Sequence, residues 1–158
     1  MFTMHAIDPG HLESVRGKGT DVSGNPVEAT TAQGGEPLRC CLRDATEGER
    51  LILFGFEPVL PAASPYREIG AVFAHAAPCD GPAGAGYPEG WRGRPQVLRA
   101  YDARGRIHPA TRVHDGTDPE GVLADVFADA AVVRADSRNI AYGCFMFTVT
   151  RAACAGPG

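Results

Sequence analysis

The stretch LRCCLRDATEGERLILFGF, from Leu38 to Phe56, contains two strand-like runs on either side of a polar segment. The first run, 38–43, and the second, 50–56, each have the length of a β-strand, and Gly48 marks the turn between them. Because the second run is almost entirely apolar, we expect it to lie in the centre of a sheet. This stretch therefore predicts two strands that are joined by a short turn.

Short strands and turns continue on both sides of this stretch. Further strands are predicted at 2–7, 71–75, 96–102, 131–138 and 143–151. Gly105, which follows the strand at 96–102, is suited to the positive φ of a hairpin turn. The last two strands are expected to form an antiparallel pair.

Two segments carry the signals of helix N-termini. In each, an aspartate that can cap the helix precedes a proline at the first helical position, namely Asp8 with Pro9 and Asp118 with Pro119. Since helices and strands do not alternate regularly, we expect an α+β fold in which one mostly antiparallel sheet packs against one or two helices. All 158 residues are assigned to a single domain, with a long mobile loop over the Gly- and Thr-rich segment 17–37.

The composition argues against several classes of partner. Hydrophobic residues make up 44% of the chain, which is enough for a buried core, and the net charge of -4 repels nucleic-acid phosphates. No apolar run is long enough to cross a bilayer, and the first residues lack the basic segment of a signal peptide. We therefore expect a cytoplasmic protein that binds neither nucleic acid nor membrane. In that reducing compartment the odd number of cysteines, five, predicts free thiols instead of disulfides.

The closing strand at 143–151 is expected to have two different faces, because side chains alternate along a strand. The apolar face would consist of Phe145, Phe147 and Val149, and the opposite face of Cys144, Met146, Thr148 and Thr150. Gly143 allows a sharp turn before the strand, so the thiol of Cys144 is directed away from the main core. The alternative is that Cys144 is a small buried hydrophobe, as free cysteines often are.

A binding face is the first functional hypothesis. Arg99 and Tyr101 share one face of the strand at 96–102, and His75 ends the strand at 71–75. Arginine binds anions with two parallel hydrogen bonds, and phenol and imidazole groups add directional ones. We therefore hypothesise that the protein is not an enzyme and binds a small anionic molecule on one sheet face. The ligand-binding residues in this hypothesis are Tyr66, His75, Arg99, Tyr101 and Arg138, with Cys144 lining the pocket.

Two other functions are open alternatives. In one, Cys144 is the nucleophile of a cysteine-dependent enzyme and His75 is its base, with acyl transfer or thiol redox chemistry as the reaction. In the other, an exposed sheet edge or the aromatic segment around Tyr87 and Trp91 builds a homodimer.

Neither a metal site nor a cofactor is expected. His75 and Cys79 are close in sequence, but the paired C-x2-C spacing that is typical of structural zinc sites does not occur. Cys40 and Cys41 are adjacent in a predicted strand, where neighbouring side chains point to opposite faces and cannot easily share one ion.

Four segments resemble a family of small, mostly bacterial proteins that is catalogued as domain of unknown function 1203: LRCCLRDATEGERLILFGFEP, SPYREIGAVFAH, LRAYDARGRI and RNIAYGCFMFTV. The resemblance runs from about Phe2 to Arg151. Its strongest parts are the segment that contains Tyr66 and His75, the strand with Arg99, and the turn before Cys144. The resemblance implies one compact domain. It implies no reaction, because none of these segments is a catalytic signature.

Overall fold

Two five-stranded β-sheets form the framework of the computed structural model, which describes residues 1–153. In chain order the strands are β1 (Phe2–His5), β2 (Glu28–Thr31), β3 (Pro37–Leu38), β4 (Arg43–Asp44), β5 (Arg50–Phe56), β6 (Gly70–His75), β7 (Gln96–Tyr101), β8 (Arg112–His114), β9 (Arg134–Asn139) and β10 (Phe145–Arg151). Two α-helices, α1 (Pro9–Lys18) and α2 (Pro119–Val126), and a 3-10 turn at Glu89–Trp91 complete the regular structure of this part of the chain.

The strands pair almost entirely in the antiparallel sense. The first sheet has the order β1-β10-β9-β7-β8, and every neighbouring pair in it is antiparallel. The second sheet has the order β2-β5-β6-β3-β4, in which β3 and β6 form the parallel pair. This architecture confirms the predicted α+β class. The strands form two sheets instead of the single sheet expected, because alternation in a sequence shows which face of a strand is buried and not which strands pair.

Each sheet has its own apolar cluster. The first cluster joins Leu12 of α1 to Phe54 and Val72 of the second sheet. The second cluster joins Leu123 of α2 to Leu98 of the first sheet. Each helix therefore contributes its buried residues to the core of a different sheet.

Both predicted helix N-termini are confirmed. A carboxylate oxygen of Asp8 accepts a hydrogen bond from the backbone N–H of His11, and one of Asp118 accepts from Gly121, both at 3.1 Å. A proline follows each of these caps in the first turn of its helix. Within residues 1–153, neither helix has the length and apolar character that are needed to cross a bilayer.

The segment 17–37, which the sequence predicts as one long loop, contains strand β2 at the edge of the second sheet. This strand pairs with β5 through its backbone, while all four of its side chains are exposed. An edge strand without a buried face leaves no alternation of apolar residues in the sequence. The sequence therefore gives no sign of this strand.

The closing strand β10 does not have the single aromatic face that its sequence predicts. A β-bulge between Phe145 and Phe147 shifts the register of β10 against β9. Phe145 therefore packs in the first cluster and Phe147 in the second. Met146, which was predicted to lie opposite Phe147, is also fully buried in the second cluster. The prediction is wrong because the extra residue of a bulge changes the face on which its neighbours lie.

The Gly- and Pro-rich segment 76–95 is attached to the core by its aromatic residues. Trp91 is fully buried, stacks on Phe147, and donates a hydrogen bond from Nε1 to Oδ1 of Asp44 at 2.8 Å. Tyr87 is also buried and meets Phe147 edge to face. These contacts therefore attach the segment, which follows β6, to the core of the protein.

Candidate metal centre

A tight turn places the thiols of Cys40 and Cys41 side by side. The run predicted as one strand at 38–43 is divided into β3 and β4 by this turn. Leu42 adopts a positive φ of 55°, and its backbone N–H donates to the carbonyl of Leu38 at 2.9 Å. The two sulfurs are 3.8 Å apart. The expectation that adjacent cysteines point to opposite faces is therefore wrong, because it applies to extended backbone and these residues are in a turn.

The parallel pairing of β3 and β6 brings His75 to this turn. Leu38 is in register with Phe73, so the chain positions two residues further on reach the same edge of the sheet. Nδ1 of His75 lies 3.4 Å from Sγ of Cys40 and 3.9 Å from Sγ of Cys41. The backbone N–H of His75 also donates to Sγ of Cys40 at 3.3 Å.

Cys79 completes a group of four potential ligands, because the chain turns back after β6. One ligand atom from each of Cys40, Cys41, His75 and Cys79 lies within 4.8 Å of the other three. The first two cysteines are buried or nearly so, whereas Cys79 is exposed. A cavity of about 670 Å³ lined by His75 and Cys79 opens beside the group and would give an ion access.

The distances fit a tetrahedral zinc ion. Bond lengths of about 2.3 Å to sulfur and about 2.0–2.1 Å to nitrogen place two sulfur ligands about 3.8 Å apart and a sulfur and a nitrogen about 3.6 Å apart. The separations among Cys40, Cys41 and His75 are 3.8, 3.4 and 3.9 Å. Three thiolates and one imidazole also form a known type of structural zinc site.

The second nitrogen of His75 is held by a carboxylate, as is usual for histidines that bind metals. Nε2 of His75 lies 3.0 Å from Oε1 of Glu49. When Nε2 carries the proton it donates to Glu49, and Nδ1 is left free to bind an ion. In this tautomer Nη2 of Arg43, which lies 3.2 Å from Nε2, donates to Glu49 and not to the ring.

Glu49 is itself fixed as a charged group. Arg43 forms two hydrogen bonds with it, at 2.7 and 3.0 Å, and the backbone N–H of Thr46 donates a third at 2.7 Å. The Arg43 bonds, together with those from Thr46 and His75, hold the pKa of Glu49 well below its usual range. The carboxylate is therefore charged at neutral pH and favours the proton on Nε2 of His75.

The neighbouring thiols share their protons unequally. The hydrogen bond with Cys41 lowers the pKa of Cys40 to about 5, and the backbone N–H of His75 adds to this effect. The same hydrogen bond raises the pKa of Cys41, which retains the shared proton, and burial raises the pKa of Cys79. Cys40 is therefore the thiol of the pair that ionises more readily, and the thiols that are still protonated lose their protons when a metal binds.

The residues of the predicted anion site are divided between two places. Arg99 on β7 and Arg138 on β9 come together, since Oε1 of Glu68 is 2.6 Å from Nη1 of Arg99 and Oε2 is 3.4 Å from Nη1 of Arg138. Tyr101 lies on the same strand as Arg99 but is 1% exposed, and its hydroxyl has no hydrogen-bond partner among residues 1–153. Tyr66 is 36% exposed.

His75 is not part of that arrangement. Among the described residues, its ring forms polar contacts with Cys40, Cys41, Arg43 and Glu49. Cys144 is half-buried in the turn before β10, where its Sγ lies 3.8 Å from the carbonyl oxygen of Tyr142. The structure therefore brings Cys144 close to Arg138, which lines the same cavity, and does not bring it to His75.

The sequence contained one sign of the four-residue group. The pair Cys40–Cys41 and the spacing from His75 to Cys79 are visible in the chain. These residues can form a metal site only because a turn places the thiols of Cys40 and Cys41 side by side, and because the parallel pairing of β3 and β6 brings His75 next to them.

The chain belongs to a family whose description gives no activity. The chain is a member of the family described as "Protein of unknown function (DUF1203)", whose sequence model matches residues 35–151. This confirms the predicted resemblance over residues 35–151, and the matched range includes all four residues of the group. Comparisons with curated proteins and with solved structures find no match.

Proposed function

We propose that the protein binds one zinc ion through Cys40, Cys41, His75 and Cys79. The observation that carries the proposal is the convergence of these four donor atoms within 4.8 Å of one another. The imidazole of His75 also has the charged hydrogen-bond partner that metal-binding histidines normally have. Such a partner is not expected where thiols and an imidazole meet by chance.

The ion would connect two parts of the chain that are distant in sequence, namely the turn after β3 and the end of β6 with the residues that follow it. Cys40 and Cys41 follow β3, His75 is the last residue of β6, and Cys79 lies near the start of the segment 76–95. Four protein ligands fill the coordination sphere of tetrahedral zinc, which is the arrangement of structural sites and not of catalytic ones. The proposed role is therefore to hold the turn and the segment 76–95 on the edge of the second sheet.

The thiols must be reduced for this role. The cysteines within residues 1–153 are all free in the structure. Reduced thiols are maintained in the cytoplasm, so the proposal includes a cytoplasmic location.

Zinc loading of purified protein tests the proposal. Native mass spectrometry of the wild-type chain after addition of zinc should show one bound ion per chain. At limiting zinc, the variant Cys41→Ser should retain much less of it than the wild type does, and Cys144→Ser, which changes a free thiol outside the group, should retain as much as the wild type. A wild-type chain that stays metal-free in excess zinc would contradict the proposal. Equal loss of zinc in both variants would contradict the assignment of the ligands.

The effect of zinc on thermal unfolding gives a second measurement. A ligand that binds only the folded chain raises the free energy of unfolding, by about 4 kcal/mol when its concentration is about 1,000 times Kd. The wild-type Tm should therefore rise with added zinc, and the Tm of Cys41→Ser should rise much less.

A further inference from the structure

A second cavity lies between β10 and the segment that follows β5. None of the residues that line it belongs to the four-residue group. Its volume is about 300 Å³, at the lower end of the range of small-molecule pockets. Its walls combine apolar and charged side chains, among them Phe56, Pro58, Phe145, Glu68, Arg138 and Cys144. A space of this size and lining suits a ligand with a small apolar body and one charged group.

Arg138 is the cationic side chain in the lining of this cavity, and its hydrogen-bond donors are only partly satisfied. Its side chain is 9% exposed, and Nη1 contacts the carbonyl of Gly143 at 3.1 Å and Oε2 of Glu68 at 3.4 Å. Its Nε is buried and has no hydrogen-bond partner among residues 1–153. A guanidinium carries five N–H donors, and a buried donor without a partner is destabilising. Arg138 therefore has capacity for a further acceptor.

Glu68 shows which type of ligand the two arginines accept. Its carboxylate bridges Nη1 of Arg99 and Nη1 of Arg138, although its own side chain is 47% exposed. The hydrogen bond from Arg99 lowers the pKa of Glu68, so the group is charged at neutral pH. Arg99 and Arg138 lie on neighbouring strands of the first sheet, which fixes their relative positions.

The geometry points to a binding site for a small monocarboxylate, in which the ligand displaces Glu68 from Arg99 and Arg138. The exchange replaces one carboxylate with another, so the charge beside the buried guanidinium is unchanged. The apolar walls at Phe56 and Phe145 would then contact the body of the ligand. In this assignment Glu68 is a competitor that belongs to the chain itself, and its removal strengthens binding. The inference is independent of the zinc proposal.

The variant Glu68→Ala tests this exchange, with benzoate as the probe. Removal of an internal competitor is expected to tighten benzoate binding by about tenfold or more, because the carboxylate on the chain acts at a high effective concentration. Isothermal titration calorimetry should therefore give a clearly lower Kd for Glu68→Ala than for the wild-type chain. The matched control is Glu57→Ala, which removes a carboxylate that pairs with Arg67 at 2.5 Å and is not a partner of Arg138. This control should bind benzoate as the wild type does.

Arginine variants then locate the site. In the Glu68→Ala background, Arg99→Gln should reduce benzoate binding at least about tenfold, as expected for the loss of a charge-assisted hydrogen bond. Arg99 is used because its side chain is 23% exposed, so that its replacement does not empty a buried position. Arg138→Gln in the same background should abolish binding, with circular dichroism confirming that the variant is folded.

Three results would overturn the inference. One is a Glu68→Ala variant that binds benzoate no more tightly than Glu57→Ala, and another is an Arg99→Gln variant with unchanged affinity. The third is the absence of any benzoate binding to Glu68→Ala at concentrations up to about 10 mM, which corresponds to a negligible affinity. Zinc content, measured in the same samples, should be equal in all of these variants, so failure here is separable from failure of the metal site.

Discussion

Replacing Cys79 with serine should weaken zinc binding strongly and leave the fold intact. Cys79 is exposed, and it lies in the segment after β6, outside both apolar clusters. Its replacement by serine therefore removes a ligand without burying a hydroxyl group in a core. Cys40, in contrast, is 5% exposed and belongs to the first cluster, so its replacement would combine both effects.

The size of the effect follows from the number of ligands. Structural zinc sites bind with apparent free energies of about 10–16 kcal/mol. An equal share among the four ligands of this group is about 2.5–4 kcal/mol for each, which corresponds to a change in Kd of roughly 70- to 900-fold. Because a water molecule or the serine hydroxyl can occupy the vacated position, we expect a change of about 100-fold.

Competition with a chromophoric zinc chelator measures this change, since the chelator reports the zinc that each variant fails to retain. The control is Cys144→Ser, whose Kd should match that of the wild type. Urea unfolding of the metal-free proteins should give the same free energy of unfolding for Cys79→Ser and the wild type, within about 0.5 kcal/mol. A Kd for Cys79→Ser within about threefold of the wild-type value would refute the reasoning, because the fourth ligand would then contribute almost nothing.

Three further predictions concern the surroundings of the site and the core. Glu49→Gln should raise the Kd for zinc about 10- to 100-fold because it weakens the support of His75, whereas an unchanged Kd would contradict this role. Zinc binding at pH 7 should release protons, because the pKa values of Cys41 and Cys79 are raised and both thiols must ionise. Affinity should therefore increase with pH, and calorimetry in buffers of different ionisation enthalpy measures the release; binding without proton release would contradict the role of these thiols. Phe147→Ala should lower the free energy of unfolding by about 3–5 kcal/mol, measured with urea, since Phe147 is fully buried; a loss below about 1 kcal/mol would contradict that packing.

Local features of the fold could be predicted from the sequence because their causes are local. Asp8 and Asp118 cap helices through their own side chains, each beside a proline, and both caps occur where the sequence places them. Strand β5 is apolar over most of its length, and it lies between β2 and β6 as expected of an interior strand. Such signals depend on residues within one turn or one strand.

The metal centre could not be predicted, because it depends on contacts between distant parts of the chain. The turn at Cys40 and Cys41 contains no glycine or proline, and its sequence looks like a continuing strand. Arg39 helps to hold it, since the buried guanidinium donates from Nε to the carbonyl of Phe145 at 2.7 Å, more than 100 positions along the chain. The side chain of His75 meets the turn only because β3 and β6 are parallel.

Only part of the arrangement around Arg99 could be predicted from the sequence, because the rest depends on contacts between distant parts of the chain. The alternation of side chains along a strand places Arg99 and Tyr101 on one face of β7. It does not show that Tyr101 is buried and has almost no contact with solvent. Nor does it show that Glu68, from a segment outside the sheet, occupies the space between Arg99 and Arg138. These features depend on tertiary packing, which pairwise patterns along a strand do not encode.

X-ray absorption spectroscopy at the zinc edge tests the central claim most directly, because it counts the atoms around the metal. For the zinc-loaded wild-type protein we predict three sulfur ligands at about 2.3 Å and one nitrogen ligand at about 2.0–2.1 Å. These atoms would belong to Cys40, Cys41, Cys79 and His75. A first shell of oxygen and nitrogen without sulfur would contradict the claim.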